Sequence, residues 1–254
     1  MLALPDGHEA VVRCAGEEAG PGGTVVVSIF VNPTQFGPEE DFENYPRDLQ
    51  TDAALVSENG GDIVFAPPAE TMYAPDRSVR VEETTLSKRL CGASRPGHFA
   101  GVCLVVLKLF HIVEPGVAVF GKKDFQQMAV VRRMVRDLDL PVRVVGAETV
   151  REPDGLAMSS RNRYLNAEER RQAATLRRAL VSCRESGERE AAALVAAFRS
   201  MLASDAPLGR IDYAEVVGAE DLQPLGQIDQ PAVMAVAVYF GRARLIDNIE
   251  LSPS

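Results

Sequence analysis

The sequence predicts an α/β protein, an open parallel sheet with helices on both faces, followed by a smaller α+β unit. Three observations point there. Short β-branched runs alternate with helix-length apolar patterns as far as Val150. Beyond it come two Ala- and Arg-rich helical stretches and then three strand-like runs. The 254 residues are 46% hydrophobic, enough to fill cores of that size. The expected boundary divides the chain into residues 1–149 and 150–254.

Gly7 and His8 open the first apolar helical pattern, and the Gly-rich AGEEAGPGG (15–23) reads as a helix-to-strand loop. TVVVSIFV (24–31), DIVFA (62–66), VAVF (117–120) and VRVVG (142–146) read as buried strands, each bounded by Gly, Pro or Asp. Helices are expected over 48–60, 102–113 and 124–139, the last with a basic outer face. Alternation of this kind gives right-handed crossovers and a parallel sheet. In the second unit, helices are expected over about 167–185 and 188–203, and strands over 211–218, 232–240 and 243–251. The last two are separated by Gly241 and Arg242, which fit a hairpin only loosely.

A net charge of −9 argues against broad nucleic-acid binding, so any anion site must be local. Cys14, Cys91, Cys103 and Cys183 lack metal-ligand spacing, which predicts structural thiols in a reducing compartment rather than a zinc site. No run approaches the roughly 18 apolar residues of a membrane span, and no signal-peptide pattern opens the chain, so the cytoplasm is expected. A GxSxG elbow, a Walker GxxxxGK[ST] and a GxGxxG loop are all missing.

Ligands of an open parallel sheet gather beyond the carboxyl ends of its strands. After 24–31 come Asn32, Pro33, Thr34, Gln35 and Phe36, either a turn fixed by Pro33 or a place where Gln35 holds a substrate hydroxyl or carboxylate. After 117–120 come Gly121, Lys122, Lys123 and Asp124 at a helix start. Gly121 permits close approach of a phosphate, the free amides favour an anion, and Lys123 can follow charge onto a transferring phosphoryl group. Asp124 reads equally as an N-cap, and Gln126 or Gln127 can face the same crevice. Met158, Ser159, Ser160, Arg161, Asn162 and Arg163 form either a triphosphate clamp or a polar linker at the unit junction. His8 is placed to point at a phosphate, His98 lies in a Gly/Pro-rich loop able to cover a substrate, and His111 reads as a packed or partly exposed helix residue.

Taken together and in order, SIFVNPTQFGPEEDFENYPRDLQTD, RPGHFAGVCLVVLKLF, VFGKKDFQQ and DGLAMSSRNRYL resemble the pantoate–β-alanine ligase family, from about residue 1 to the closing RLIDNIEL. The resemblance implies a Rossmann-like nucleotidyltransferase domain with a smaller C-terminal lid domain, as a homodimer in pantothenate biosynthesis. It implies ATP and Mg²⁺, with pantoate attacking the α-phosphate to give pantoyl adenylate and β-alanine then displacing AMP. Carried over by residue, Gln35 and Gln127 match the pantoate-binding glutamines. Gly121, Lys123, Asp124, Val150, Met158, Ser159, Ser160 and Arg161 match the ATP-binding positions, with His8, Lys123, Ser159, Ser160 and Arg161 catalytic, and Asp52 falls where an acidic, metal-associated residue stands. Family members read like PTMGxLHxGH near the start, after a central strand. Here the chain opens MLALPDGH, with Leu2 for the Gly and Pro5 for the first His, so the first strand is expected to be missing. Two alternatives stand beside the ligase: a degenerate, non-catalytic nucleotide- or pantoate-binding homologue, and a nucleotidyltransferase with another acceptor.

Overall fold

A computed structural model describes residues 7–37, 42–43 and 47–253. The first unit begins with α1 (Glu9–Ala19), which stops at Gly20, where φ is +64°. Strand β1 (Val26–Ser28) crosses through α2 (Leu49–Glu58) to β2 (Ile63–Phe65), its parallel partner, with Val26 opposite Ile63 and Ser28 opposite Phe65. Asp48 caps α2 by accepting from the Thr51 amide (3.1 Å) and hydroxyl (2.8 Å). Two short helices, α3 (Ala69–Met72) and α4 (Cys91–Ser94), lead to α5 (His98–Val113). Strand β3 (Val117–Gly121) then crosses through α6 (Phe125–Asp137) to β4 (Arg143–Ala147), again in parallel, with five paired positions.

The α/β class holds, with one difference in detail. Among the described residues the parallel strands form two separate pairs, β1 with β2 and β3 with β4, rather than one continuous sheet. The N-terminal stretch bearing Leu2 and Pro5 lies outside the described residues. The run 24–31 is also a strand for three residues only, because β2 offers three partners; Val25 instead donates its N–H to the Asp62 carboxylate (2.8 Å).

The second unit consists of α7 (Ala167–Ala173), α8 (Thr175–Glu185) and α9 (Ala191–Asp205) over an antiparallel sheet β5 (Gly209–Gly218), β6 (Ala232–Phe240) and β7 (Ala243–Leu251). The helix expected over 167–185 is interrupted at Ala174, although its φ of −61° and ψ of −18° stay helical. A capping box between Asn166 and Glu169 opens α7. Phe240 pairs with Ala243, so Gly241 and Arg242 make a two-residue hairpin, tighter than the sequence suggested; Gly241 takes the positive φ (+53°) that this turn needs.

Burial shows how the units meet. On β6, Met234, Val236 and Val238 join Leu180, Leu194 and Phe198 in a core beneath α8 and α9. The intervening Val233 and Ala235 face the other way, with Val217 and Leu222, into the core that holds Phe99, Val102, Phe120 and Val131 of the first unit. Side chains alternate across a strand, so β6 is apolar throughout because both of its faces are covered. Polar ties cross the same junction: Ser94 donates to Asp212 (2.9 Å), and Arg244, which holds Asp212 through two nitrogens (3.0 and 2.7 Å), also reaches the Cys91 sulfur (3.5 and 3.6 Å).

Candidate active site

A cleft of about 2040 Å³ runs between the two parallel pairs and opens toward the second unit. Residues 25–28 and 117–121 form opposite walls, and Gly7, His8, Gln35, Lys123, Gln127 and Met158 line it together with Ser159, Ser160 and Arg161. It runs the length of β1 and β3, and Gln35, Lys123 and Asp124 stand beyond the carboxyl ends of those strands, where an open α/β sheet collects ligands.

Gln35 owes its position to Asn32, which is fully buried. The Asn32 carbonyl oxygen accepts from the Thr34 amide (3.2 Å), the Thr34 hydroxyl (2.8 Å) and the Tyr73 hydroxyl (2.7 Å). Its amide nitrogen donates to the Gly101 carbonyl and to Gln35 Oε1, both at 3.1 Å. Two backbone groups fix this orientation, since the Thr34 N–H can only donate and the Gly101 carbonyl only accept. Gln35 Oε1 is therefore occupied, and its Nε2 is the end left to donate to a ligand. The turn Pro33–Gln35 sits tightly on α5: a Cβ on Gly101 would lie 2.3 Å from the Thr34 carbonyl oxygen.

His98 belongs to this support. It is buried at the first turn of α5, with Nδ1 2.8 Å from the Gln35 carbonyl and Nε2 3.0 Å from an Arg95 nitrogen. The carbonyl can only accept, so Nδ1 carries the proton and Nε2 accepts from Arg95. His98 holds the glutamine turn, and with Arg95, Pro96 and Gly97 of its loop it is also part of the cleft lining. His111 is exposed, with Nδ1 against the Leu107 carbonyl (2.8 Å).

Across the cleft, Lys123 sits in the turn Lys122–Asp124 and donates to the Met158 carbonyl (2.8 Å). Burial pushes its pKa below the ordinary lysine value; Arg161 and Arg151 push the same way, while Asp124 and Asp247 oppose them. Lys122 points elsewhere, paired with Glu148 (2.5 Å) and Glu250 (3.4 Å), chiefly the former of which raises its pKa. Asp124 precedes α6 but its side chain makes no capping bond, so the N-cap reading fails: the preceding tight turn gives Asp124 a ψ of +56°, outside the usual extended N-cap geometry. Ser159 accepts from the Arg161 amide (3.3 Å), and Ser160 is buried at the start of the turn Ser160–Tyr164.

Gly7 brings His8 to this corner. Its φ is +105°, and a Cβ there would lie 3.1 Å from the Met158 Cβ and 3.5 Å from that of Val150. The Gly-His pair thus packs against the hairpin carrying Met158, and His8 begins α1 without a side-chain capping bond.

Gln35, Gln127, Lys123, His8, Gly121, Asp124, Val150, Met158, Ser159, Ser160 and Arg161 all meet at the cleft. Asp52 does not: it is buried in the first turn of α2 and is not part of the cleft lining. It stands on a helix capped by Asp48, away from the residues that line the cleft. Sequence reasoning missed Asn32 as an anchor, Tyr73, His98 as a support, and the pair Arg151 and Asp247, which is bidentate at 2.8 and 3.0 Å with Asp247 3% exposed. The polar Asp-Asn step inside the apolar RLIDNIEL was the available signal for the last. The four cysteines are free thiols, and burial pushes that of Cys103 up to about 11, which keeps it protonated and inert.

Comparison with known proteins agrees. The family model described as pantoate-beta-alanine ligase matches residues 1–250. The pantothenate synthetase of Akkermansia muciniphila is 51% identical over 99% of this chain and 90% of its own length, and that of Thermosipho africanus 52% identical over 98% and 89%. The crystal structure of pantothenate synthetase from Thermus thermophilus superposes with a TM-score of 0.92 at 49% identity, covering 98% of this chain and 90% of that one. Pantoate-beta-alanine ligase from Francisella tularensis, complexed with beta-gamma ATP and beta-alanine, superposes at 0.78 with 32% identity, over 98% and 86%. None of these similarities favours a non-catalytic binder.

Proposed function

Because the chain belongs to the pantoate–β-alanine ligase family and joins pantoate to β-alanine with ATP as co-substrate, we propose that this cleft carries the reaction through a pantoyl adenylate. A pantoate carboxylate oxygen attacks the α-phosphorus of ATP, and the bond to the β-phosphate oxygen breaks to release pyrophosphate. The β-alanine amine then attacks the acyl carbon, expelling AMP and losing a proton. No side chain becomes covalently attached, so the residues act by positioning and by stabilising charge.

Gln35 Nε2 binds pantoate from the first wall of the cleft and Gln127, on α6, from the second. Lys123, Gly121 and Asp124 hold the nucleotide from the second, with Val150, Met158, Ser159, Ser160 and Arg161 closing on its phosphates and His8 facing them from α1. The observation that supports this reading best is the fixed Gln35 amide, its Oε1 already occupied and its Nε2 left to donate, in one cleft with the partly buried Lys123 ammonium. That ammonium favours phosphorus–oxygen cleavage, which moves charge onto the leaving pyrophosphate.

Among the described residues, no cluster of three or more His, Cys, Asp or Glu side chains offers a metal cage. The donor set nonetheless fits Mg²⁺, which is held largely by waters and phosphates with one or two carboxylates; Asp124 is the cleft carboxylate suited to it. Bound Mg²⁺ would neutralise phosphate charge. The lid role of the smaller unit over 150–254 and the homodimer rest on the family resemblance. No described helix is long and apolar enough to cross a membrane.

The deciding experiment supplies ATP, Mg²⁺, pantoate and β-alanine, omitting each in turn. Pyrophosphate from ATP and pantoate alone, with AMP and pantothenate released only on adding β-alanine, is the expected pattern. Pyrophosphate release that requires β-alanine from the first turnover would reject the adenylate sequence.

A further inference from the structure

Lys123 is held at both ends by two adjacent residues of β7, a strand of the second unit. Asn248 donates through its side-chain nitrogen to the carbonyl oxygens of Lys122 and Lys123, each at 3.0 Å, pinning the turn that carries the lysine. Asp247 grips Arg151 with both oxygens. Arg151 in turn lies opposite Ala157 in an antiparallel bridge, and the Met158 amide donates to the Val150 carbonyl (3.0 Å). This small hairpin presents the Met158 carbonyl that receives the Lys123 ammonium at 2.8 Å. One dipeptide of β7 therefore locates both partners of that contact, the backbone under Lys123 through Asn248 and the acceptor through Asp247.

We propose that Asn248 is a positioning residue for Lys123: by fixing the carbonyls of Lys122 and Lys123, it sets the rate of adenylate formation and leaves ATP affinity nearly untouched. The inference rests on the role assigned to Lys123 above. Asn248 supplies two hydrogens to two successive carbonyls, whereas the Lys122 ammonium reaches away to Glu148 and Glu250. Without Asn248 the turn can shift, and displacement of about 1 Å at a reacting centre costs on the order of 100-fold in rate. Ground-state ATP binding, spread over many contacts, is far less sensitive.

The test measures pyrophosphate release in a single turnover, with ATP and pantoate but no β-alanine, alongside the ATP dissociation constant. The proteins are wild type, Asn248→Ala, Asn248→Ser, Lys123→Ala and the double alanine variant, with rates referred to folded protein by circular dichroism. Asn248→Ala is expected to slow release by roughly 10- to 100-fold and to shift the ATP constant less than about threefold. Asn248→Ser, which keeps one donor, recovers part of the rate. In the Lys123→Ala background, Asn248→Ala adds less than about threefold, because its effect passes through the lysine. A purely structural asparagine would slow both backgrounds equally, and that result overturns the inference. So does slowing by Lys123→Ala without slowing by Asn248→Ala. If Lys123→Ala leaves the rate unchanged, the role of Lys123 falls and this inference falls with it. Should the alanine variant not fold, Asn248→Ser decides: a wild-type rate overturns the inference, and a slowed rate that disappears as a separate effect once Lys123 is alanine upholds it.

Discussion

Replacing Asn32 with aspartate exchanges one NH₂ group for an oxygen of nearly the same size, in a residue with no solvent exposure. The three bonds accepted by the side chain survive, and the two it donates are lost. The Gly101 carbonyl cannot turn away, so it is left buried without that donor, which costs about 1–3 kcal/mol. At about 2–4 °C per kcal/mol for a chain of this size, the melting temperature should fall by roughly 2–12 °C. Gln35 has a choice that Gly101 lacks. Its amide can rotate to donate Nε2 to the introduced carboxyl, which turns Oε1 toward the cleft and sets an acceptor against the pantoate carboxylate. Losing a hydrogen bond to a charged group costs about 1.5–3 kcal/mol, roughly 10- to 100-fold in affinity. Titrating the Asn32→Asp protein calorimetrically with pantoate and separately with ATP reads this out. Weaker pantoate binding with ATP binding preserved is expected; a variant of reduced stability that still binds pantoate as wild type does would refute the idea that Asn32 sets the Gln35 amide.

Gly101→Ala drives a Cβ to 2.3 Å from the Thr34 carbonyl oxygen and 2.7 Å from the Gln35 nitrogen, so stability should drop by about 1–3 kcal/mol and pantoate affinity with it; an undisturbed pantoate constant counts against a rigid turn. Lys123 has a depressed pKa when folded, so the folded protein binds fewer protons there than the unfolded chain. Its contribution to stability therefore grows as pH rises toward the unfolded value of about 10.4 and is lost as pH falls through the folded one. The alkaline limb of kcat/KM for ATP should consequently lie below about 10.4 and move upward in Lys123→Arg, and a limb indifferent to that change would remove the lysine from the titration. Arg151→Met strands the buried Asp247 carboxylate and should cost about 3–5 kcal/mol in urea unfolding, most of it recovered by adding Asp247→Leu; failure of the second change to help would show that the loss is packing rather than charge. Phe198→Ala, in the fully buried core under α8 and α9, should cost about 3–5 kcal/mol, or roughly 6–20 °C in melting temperature, with pantoate and ATP constants unaltered at a temperature where the variant is folded.

Local signals carried most of the architecture. The β-branched runs ending at Phe120 and Gly146 became β3 and β4, near-continuous apolar strands of the kind parallel pairing favours, apart from Arg143 at the exposed start of β4. The run 232–240 has the same texture for a different reason, since β6 is antiparallel and separates two cores; composition alone does not tell these cases apart. Of the site, residues marked by their place were legible: Gln35 and Lys123 follow strands, and Ser159, Ser160 and Arg161 stand at a junction. Their supports were not, because they act across long separations. Asn32 reaches Tyr73 and Gly101, His98 reaches Gln35, and Asn248 reaches Lys123 over 125 positions. A lone Asn in a strand or a His in a Gly/Pro-rich loop has no local pattern that names its partner. Asp52 is the converse case, a residue marked by its place in the sequence that lies buried in α2 and outside the cleft lining.

The two-sided burial of β6 bears on how the gene can be cut. Val217, Leu222, Val233 and Ala235 belong to the first unit's core although they are encoded in its second half. A fragment of residues 150–254 made alone would display that apolar face to water, and the complementary fragment would lack one wall of its core. The two pieces should therefore aggregate when expressed apart and yield soluble protein when co-expressed, so a split-protein reporter built at this junction would signal by joint folding rather than by docking of finished halves.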